Sequence, residues 1–557
     1  MSTKKVKTYT SMDEALKEPD KVIKLSLIGN GLEKLPPEIG TFSNLERLYL
    51  TGNNLNSLPS EIQNLKKLKL LELIGNNLSA LPPEIAALKS LEYLYLVKNQ
   101  LLDLPPEIGE LTSLKGLWLE MNRLTVIPKD ILHLKQLELL ELDRNIIHEV
   151  PDEIGQLISL QVLRMNSNGI SKLPDSICEL KNLMGLLLGD NLLTELPRDL
   201  GKLTQLQRLD LQKNKLKEIS FDLGHLKNLK EANFHDNALS KFPPEVGELR
   251  LLEKLNLKNN SLKELPPEIG HCDQLKALYL EGNRLQELPK EFGKLKSLEV
   301  LELNKNQLTQ LPEELSNLTN LTELYIGGNQ FSDYPLEIDH MVHLKNLGIG
   351  GNQMVTISPS IKKLTHLENL WMEGNQIKEL PSEITSLVHL VKLRLDYNQL
   401  TEVPKDIGNL EKLEELYLRA NQLSELPKSL ENLVHLKLLD VSQNTFSTLD
   451  PGIGKLIRLQ GLWFEDNNLS ELPPEIGLLN ELHGIGLNNN KLKTLPKEMG
   501  QLKNLQELYL GNNQLTEFPS EMERCEKLGW ISLVENPLSP EGKKNIDLYF
   551  PRCEIRF

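Results

Sequence analysis

Apolar residues recur along this chain in a short alternation followed by a wider spacing. In NLERLYLTGNNL, residues 44–55, Leu48 and Leu50 flank Tyr49, with Leu45 and Leu55 further out. A one-in-two alternation of apolar and open positions is strand periodicity. Each such segment ends in an asparagine, and Asn30, Asn53, Asn76 and Asn99 open a series that runs every 23 residues through Asn283 and Asn398 to Asn536. There are 23 of these asparagines with no slip in register.

Around them runs LxxLxLxxNxLxxLPxxIGxLxxL, as in LKALYLEGNRLQELPKEFGKLKSL at residues 275–298. A chain of 557 residues would ordinarily suggest several globular domains. A fixed period over nearly all of it predicts one solenoid instead. One short strand per repeat stacks in parallel on its neighbour at about 4.8 Å. The asparagine amide has two donors and an acceptor for backbone groups of its own and adjacent repeats, so losing one, as in Asn283→Ala, is expected to cost about 1–3 kcal/mol.

The opposite side carries LPPEIG-like segments. A proline six residues after the asparagine starts a short helical turn, and an acid two residues later recurs at 18 of 22 positions, among them Glu38, Glu61, Glu268 and Glu475. Helix-dipole and capping complementarity explain those acids without a functional role. Proline is missing at Ser220, Ser358 and Asp450, where irregular turns are expected.

The ends read as caps. In SMDEALKEPD, Ser11 and Glu14 have capping-box spacing, Met12, Ala15 and Leu16 form an apolar stripe, and Pro19 ends the helix. At the other end Ser539 is a helix N-cap and Pro540 its first residue, with the helix reaching about Phe550 before a short terminal strand. The expected organisation is a cap over 1–21, 23 repeats over 22–538 and a second cap over 539–557, with no further domain.

The residue between the strand leucines faces out. Four residues before each asparagine, nine of the 23 positions are Tyr or Trp: Tyr49, Tyr95, Trp118, Tyr279, Tyr325, Trp371, Tyr417, Trp463 and Tyr509. Arg164 and Arg394 share the column, and Tyr93, Tyr397 and Trp530 flank it. Phenylalanine is absent from all 23 positions and takes leucine or isoleucine slots, as Phe234, Phe292, Phe464 and Phe518 do. Strand propensity alone would not exclude it. Aromatics with a polar handle on an open face are the chemistry of interface hot spots, so these fourteen residues are the candidate partner-binding set.

Between the aromatic zones the face is charged, with Asp143, Arg144, Arg164, Arg208, Asp210, Lys213, Glu231, Asp236, Lys254 and Lys258. YIGGN and GIGGN remove side chains at Gly327, Gly328, Gly348, Gly350 and Gly351, where a partner is expected to approach the backbone, framed by Tyr325 and Trp371.

Other chemistry is thin. A net charge of −15 argues against a duplex nucleic-acid binder and an anionic membrane surface. Lys4 and Lys5 open the chain without the apolar run of a secretory signal, and no stretch is long and apolar enough to span a bilayer. Cys178, Cys272, Cys525 and Cys553 are too scattered for a disulfide framework or metal site. His343, His366 and His389 share one slot in consecutive repeats, an arrangement that repeat duplication explains better than metal binding. No Walker loop, GxGxxG, GxSxG or HExxH occurs. No cofactor, metal or catalytic residue is expected.

These motifs resemble the leucine-rich repeat proteins of the 23-residue LPxxIG class, which includes Ras-group scaffold proteins. EALKEPDKVIKLSL and NPLSPEGKKNIDLYFPRCEIRF resemble the ends of bacterial cytoplasmic proteins of the leptospiral type. The resemblance implies an α/β fold: a right-handed horseshoe solenoid with one curved parallel β-sheet on its concave face, short helical turns on its convex face and a protein partner on the concave side. The expected protein is a monomeric, cytoplasmic, non-enzymatic interaction scaffold, in signalling or as a regulatory subunit. The alternatives are an exported or surface-exposed host-interaction protein, which cell fractionation separates from the first reading, and an enzyme with an unrecognised concave site.

Overall fold

The computed structural model describes residues 6–557; Lys4 and Lys5 lie outside the described residues. The chain divides into two compact units, Met1–Tyr279 and Leu280–Phe557. Among the described residues the first contains thirteen short strands and the second twelve, and within each unit consecutive strands pair in parallel.

Register follows the sequence period. In the first unit Arg47, Leu48 and Tyr49 stand opposite Leu70, Leu71 and Glu72; in the second, Glu323, Leu324 and Tyr325 stand opposite Asn346, Leu347 and Gly348. Each repeat's strand is only three residues long, because the leucine on either side of its outward residue turns into the core: Leu48 and Leu50 are fully buried while Tyr49 is half-buried. Stacking repeats this pattern, so every rung covers the leucines of the next.

The asparagines act as the turn's internal scaffold. Asn53 Nδ2 donates to Leu27 O (2.8 Å) in the preceding rung and to Leu50 O (2.9 Å) in its own, while its Oδ1 accepts from Leu32 N at 3.0 Å. Asn375 does the same in the second unit, with Ile349 O, Met372 O and Met354 N at 3.1 Å. The residue just before the asparagine is forced into the left-handed region: φ is 55° at Lys98, 56° at Met121 and 54° at Tyr397. For a side chain other than glycine that conformation costs about 1–2 kcal/mol, which the asparagine's bonds offset. Glycine fills the same position at Gly328, Gly351 and Gly374 without that cost.

The turns on the opposite side are 3-10 helices, mostly five residues long, as at Pro37–Thr41 and Pro474–Leu478. The proline six residues after the asparagine is their N-cap, one position earlier than the sequence reading placed it. The expected irregularity appears after Ser220, where only Leu223–His225 is helical. It does not appear at Ser358 or Asp450. There the side chain itself caps a full five-residue turn, accepting from Ser360 N and Gly452 N. A polar N-cap replaces what proline supplies by rigidity. Turns Leu200–Lys202 and Ile407–Asn409 are short despite their prolines, and nothing in the structure explains this.

At the amino-terminal end Ser11 Oγ accepts from Glu14 N at 3.2 Å. The helix Met12–Ala15 stops at Leu16, before Pro19, which opens a second short turn, and Leu16 is 38% exposed rather than part of a buried stripe. Thr8–Tyr9 forms an unforeseen strand beside Lys24–Leu25, burying the Tyr9 ring. At the other end Ser539 caps the helix Pro540–Tyr549, Ile546 and Phe550 are buried, and Glu554–Arg556 pairs with the strand Trp530–Ser532.

Candidate binding face

The outward strand residues gather into clusters that differ in how they satisfy their rings. In the first unit, Tyr95 and Trp118 occupy adjacent rungs and stack with centroids 4.0 Å apart and planes 14° from parallel, while Tyr93 leans on Trp118 at 6.4 Å. Gly116 makes this fit possible, since a Cβ there would lie 2.4 Å from the Trp118 ring.

In the second unit the aromatic pairs are two rungs apart with a glycine between. Tyr325 and Trp371 stand on either side of Gly348, and their centroids are 6.0 Å apart at 42°. Trp463 and Tyr509 flank Gly486 in the same way, also at 6.0 Å and at 46°. The glycines receive these rings: a Cβ on Gly348 would be 2.9 Å from Tyr325 Cδ1, and one on Gly486 would be 2.4 Å from Trp463 Cε3. The glycines of the GGN segments thus have local roles besides lining the space between these rings. Gly348 admits the neighbouring ring, and Gly328 and Gly351 serve the left-handed turn. What remains beside them is a hollow of about 460 Å³ bordered by Tyr325, Trp371, Tyr397, Glu373 and Lys305. Tyr397 is 55% exposed at its rim.

The tyrosine hydroxyls are tethered within their own strands. Tyr325 Oη donates to Glu323 (3.0 Å), Tyr417 to Glu415 (2.9 Å) and Tyr509 to Glu507 (3.1 Å). Burial, with the adjacent carboxylate, raises all three phenols, Tyr417 to about 12. These phenols stay protonated at neutral pH, so the rings are neutral and already fixed in orientation by their own strands.

The remaining candidates stand apart, each with its own charged partner. Lys24 lies 5.1 Å from the Tyr49 ring, and Lys254 and Lys258 lie 5.3 and 5.1 Å from that of Tyr279. Arg394 is held by Asp396 at 3.2 Å and lies 4.9 Å from the Tyr417 ring. Arg556, from the terminal strand, covers Trp530 at 4.5 Å. Arg164 bridges Asp143 (3.1 Å) and Glu141 (3.5 Å).

The charged stretch is less open than its composition implied. Asp143 and Asp210 are buried, and Arg144, Lys213 and Asp236 sit in the left-handed turn position rather than on the strands. Sequence reasoning missed Glu141 as a titratable group: burial raises its carboxyl to about 7, with Arg164 opposing and the Glu120 carboxyl adding to the rise. Its only sequence signal was its place beside Trp118 in register.

His343 and His366 rings are 5.7 Å apart, and His366 Nδ1 donates to Val342 O at 3.0 Å. Among the described residues no three His, Cys, Asp or Glu side chains are grouped as a metal ion would require. Cys178, Cys272 and Cys525 are buried, and burial lifts their thiols to about 11, 12 and 11, which removes the thiolate a nucleophile needs. No helix among the described residues is long and apolar enough to cross a membrane.

A parallel strand, an asparagine-braced turn and a 3-10 turn, repeated at 23-residue register in each unit, define a solenoid of stacked repeats. The family model described as "Leucine-rich repeat region" matches residues 123–235, 233–334, 330–426 and 419–529. "Leucine rich repeat" matches 89–147 and "Leucine Rich Repeat" 44–65. The matches span more than half of the chain, which belongs to the leucine-rich repeat family. Comparison with curated proteins gives no significant match. Among solved structures the chain is similar to the plant peptide hormone receptor RGFR1 in complex with RGF2, with TM-score 0.67, 29% identity, and 89% of this chain and 87% of that one covered. It is similar to YopM from Yersinia enterocolitica, with TM-score 0.56, 26% identity and coverage of 91% and 90%. A Leptospira interrogans LRR protein is 31% identical over 99% of this chain and 100% of that one, with TM-score 0.36. The fold is of a kind typical of protein–protein interaction domains.

Proposed function

We propose that this chain is a non-catalytic scaffold that binds a protein partner on the strand face, through the fourteen aromatic and arginine residues of the ladder. It acts as a monomer in the cytoplasm, in intracellular signalling. The LPxxIG repeats over 22–538, between caps at 1–21 and 539–557, support membership of the 23-residue class with its Ras-group scaffolds. The resemblance of the two ends to leptospiral-type proteins supports a bacterial cytoplasmic setting.

One observation carries the binding assignment. Phe234, Phe292 and Phe464 are fully buried, whereas the ladder's tyrosines and tryptophans stay half-exposed on the strand face. Burying such rings against a partner yields more than their area alone, because the hydroxyl or indole N–H also finds a hydrogen bond. RGFR1, similar in fold, is a plant peptide hormone receptor solved in complex with RGF2, which supports a peptide-like segment as the element recognised.

Affinity capture from the native cell tests this. The Trp371→Ala/Trp463→Ala double variant is expected to retain less than about a tenth of the partner, as loss of a hot-spot pair implies. Glu383→Ala, in the turn Ser382–Ser386 on the opposite side, is expected to behave as wild type. Equal losses in both variants would refute a strand-face site.

A further inference from the structure

Tyr49, Tyr279 and Tyr417 each hold a lysine or arginine of this chain over the ring, at 4.9 to 5.3 Å. Tyr325, Trp371 and Tyr397 differ: among the described residues no cation lies over any of them, and they border the 460 Å³ hollow. Two nearby positive charges are already engaged. Lys305 pairs with Glu281 at 2.9 Å, and Arg394 with Asp396 at 3.2 Å.

Glu373 completes the picture. Its Oε2 is buried and accepts no hydrogen bond among the described residues. Its carboxyl is seated against Gly350, where a Cβ would stand 2.8 Å from Cδ; any larger residue would displace it. A carboxylate oxygen withdrawn from water with no donor is unfavourable unless a donor arrives. Aromatic faces beside it attract a cation, and more strongly once water is excluded. The net charge of −15 also draws basic segments toward the chain.

We propose that this hollow receives the ammonium or guanidinium head of one lysine or arginine side chain of a protein partner, held over Trp371 and Tyr325 with the Glu373 carboxylate turning to accept from it. The inference rests on the reading of the strand face as a binding surface, and it names the chemistry recognised there. Its internal precedent is the set of lysines and arginines that the chain places over its other tyrosines.

The test uses the full chain labelled with ¹⁵N-tryptophan, whose four indole resonances are assigned through Trp371→Phe. Acetylated, amidated Ala-Arg-Ala and Ala-Lys-Ala are titrated beside Ala-Gln-Ala and Ala-Glu-Ala. The basic peptides are expected to shift the Trp371 indole saturably, and Glu373→Gln, with an unchanged melting profile, to weaken them about fivefold or more, as loss of a desolvated cation partner implies. No shift in wild type, an equal response to the glutamine or glutamate peptide, or unchanged affinity in Glu373→Gln would overturn it. An equal response to the neutral peptide would overturn the cation assignment while leaving the strand face a binding surface. Failure of the wider reading shows separately, as partner capture unaffected by Trp371→Ala/Trp463→Ala.

Discussion

Tyr95 with Trp118 and Tyr325 with Trp371 are the same two residue types in the same outward column, yet they make different surfaces. The first pair lies on adjacent rungs, where strand spacing of about 4.8 Å leads directly to a 4.0 Å stack. Each ring there covers a face of the other. The second pair is two rungs apart, so unaided spacing would separate the rings by about 9.6 Å. Gly348 lets the Tyr325 ring lean over it, which brings the two centroids to 6.0 Å, tilted, beside the hollow. Rung separation, with a glycine in the rung between, leaves the second pair tilted beside a hollow where the first pair closes into a stack.

The largest effects that sharpen this contrast lie beneath it, in the framework both regions share. Asn122→Ala, under the stack, and Asn375→Ala, under the hollow, strip four and three backbone partners respectively. Each is expected to lower stability by about 1–3 kcal/mol, read as similar downward shifts in urea midpoint. A large inequality would mean that the two regions differ in scaffold and not only in surface.

Next in size is the stack itself. Trp118→Ala is expected to cost about 0.5–1.5 kcal/mol beyond its buried area, while Trp371→Ala is expected to cost less stability but to lower partner capture severalfold. The reverse ranking would break the comparison. A smaller change is expected from Tyr509→Phe, which removes one hydroxyl–carboxylate bond worth about 0.5–1.5 kcal/mol when fully formed and less at this exposed site. Urea midpoints relative to wild type measure it.

The last is a titration. Glu141, opposite Trp118 in register, has its carboxyl raised to about 7 by burial. A folded-state value above the unfolded one favours the protonated form. Stability is therefore expected to fall as pH rises from about 4.5 through 7 and to recover as pH is lowered. Comparing wild type with Glu141→Gln across that window isolates the effect. A flat difference would remove the buried-carboxyl account.

The repeat, its strand register and the division of leucine from outward residue were legible because period and burial are written in every rung. The asparagine bonds were legible from donor chemistry alone. Ring geometry was not. Whether Tyr325 stacks, tilts or stands free depends on what occupies the rung between, and Gly348 reads the same whether it opens the backbone or receives a neighbour's ring. The left-handed residue before each asparagine was also hidden, because Lys98, Met121 and Tyr397 carry no glycine signal there. At the amino-terminal end Tyr9, a polar aromatic in a two-residue strand, gave too short a pattern to register.

The central claim is that the strand face, with Trp371 and Tyr397 among its contacts, meets the partner and the opposite side does not. Hydroxyl-radical footprinting of the chain alone and with its captured partner measures this residue by residue. Trp371 and Tyr397 are expected to lose at least about four-fifths of their oxidation in the complex, as hot-spot rings sealed from water do, with Leu336 on the opposite side unchanged. Protection at Leu336 with Trp371 and Tyr397 still oxidised would contradict the account.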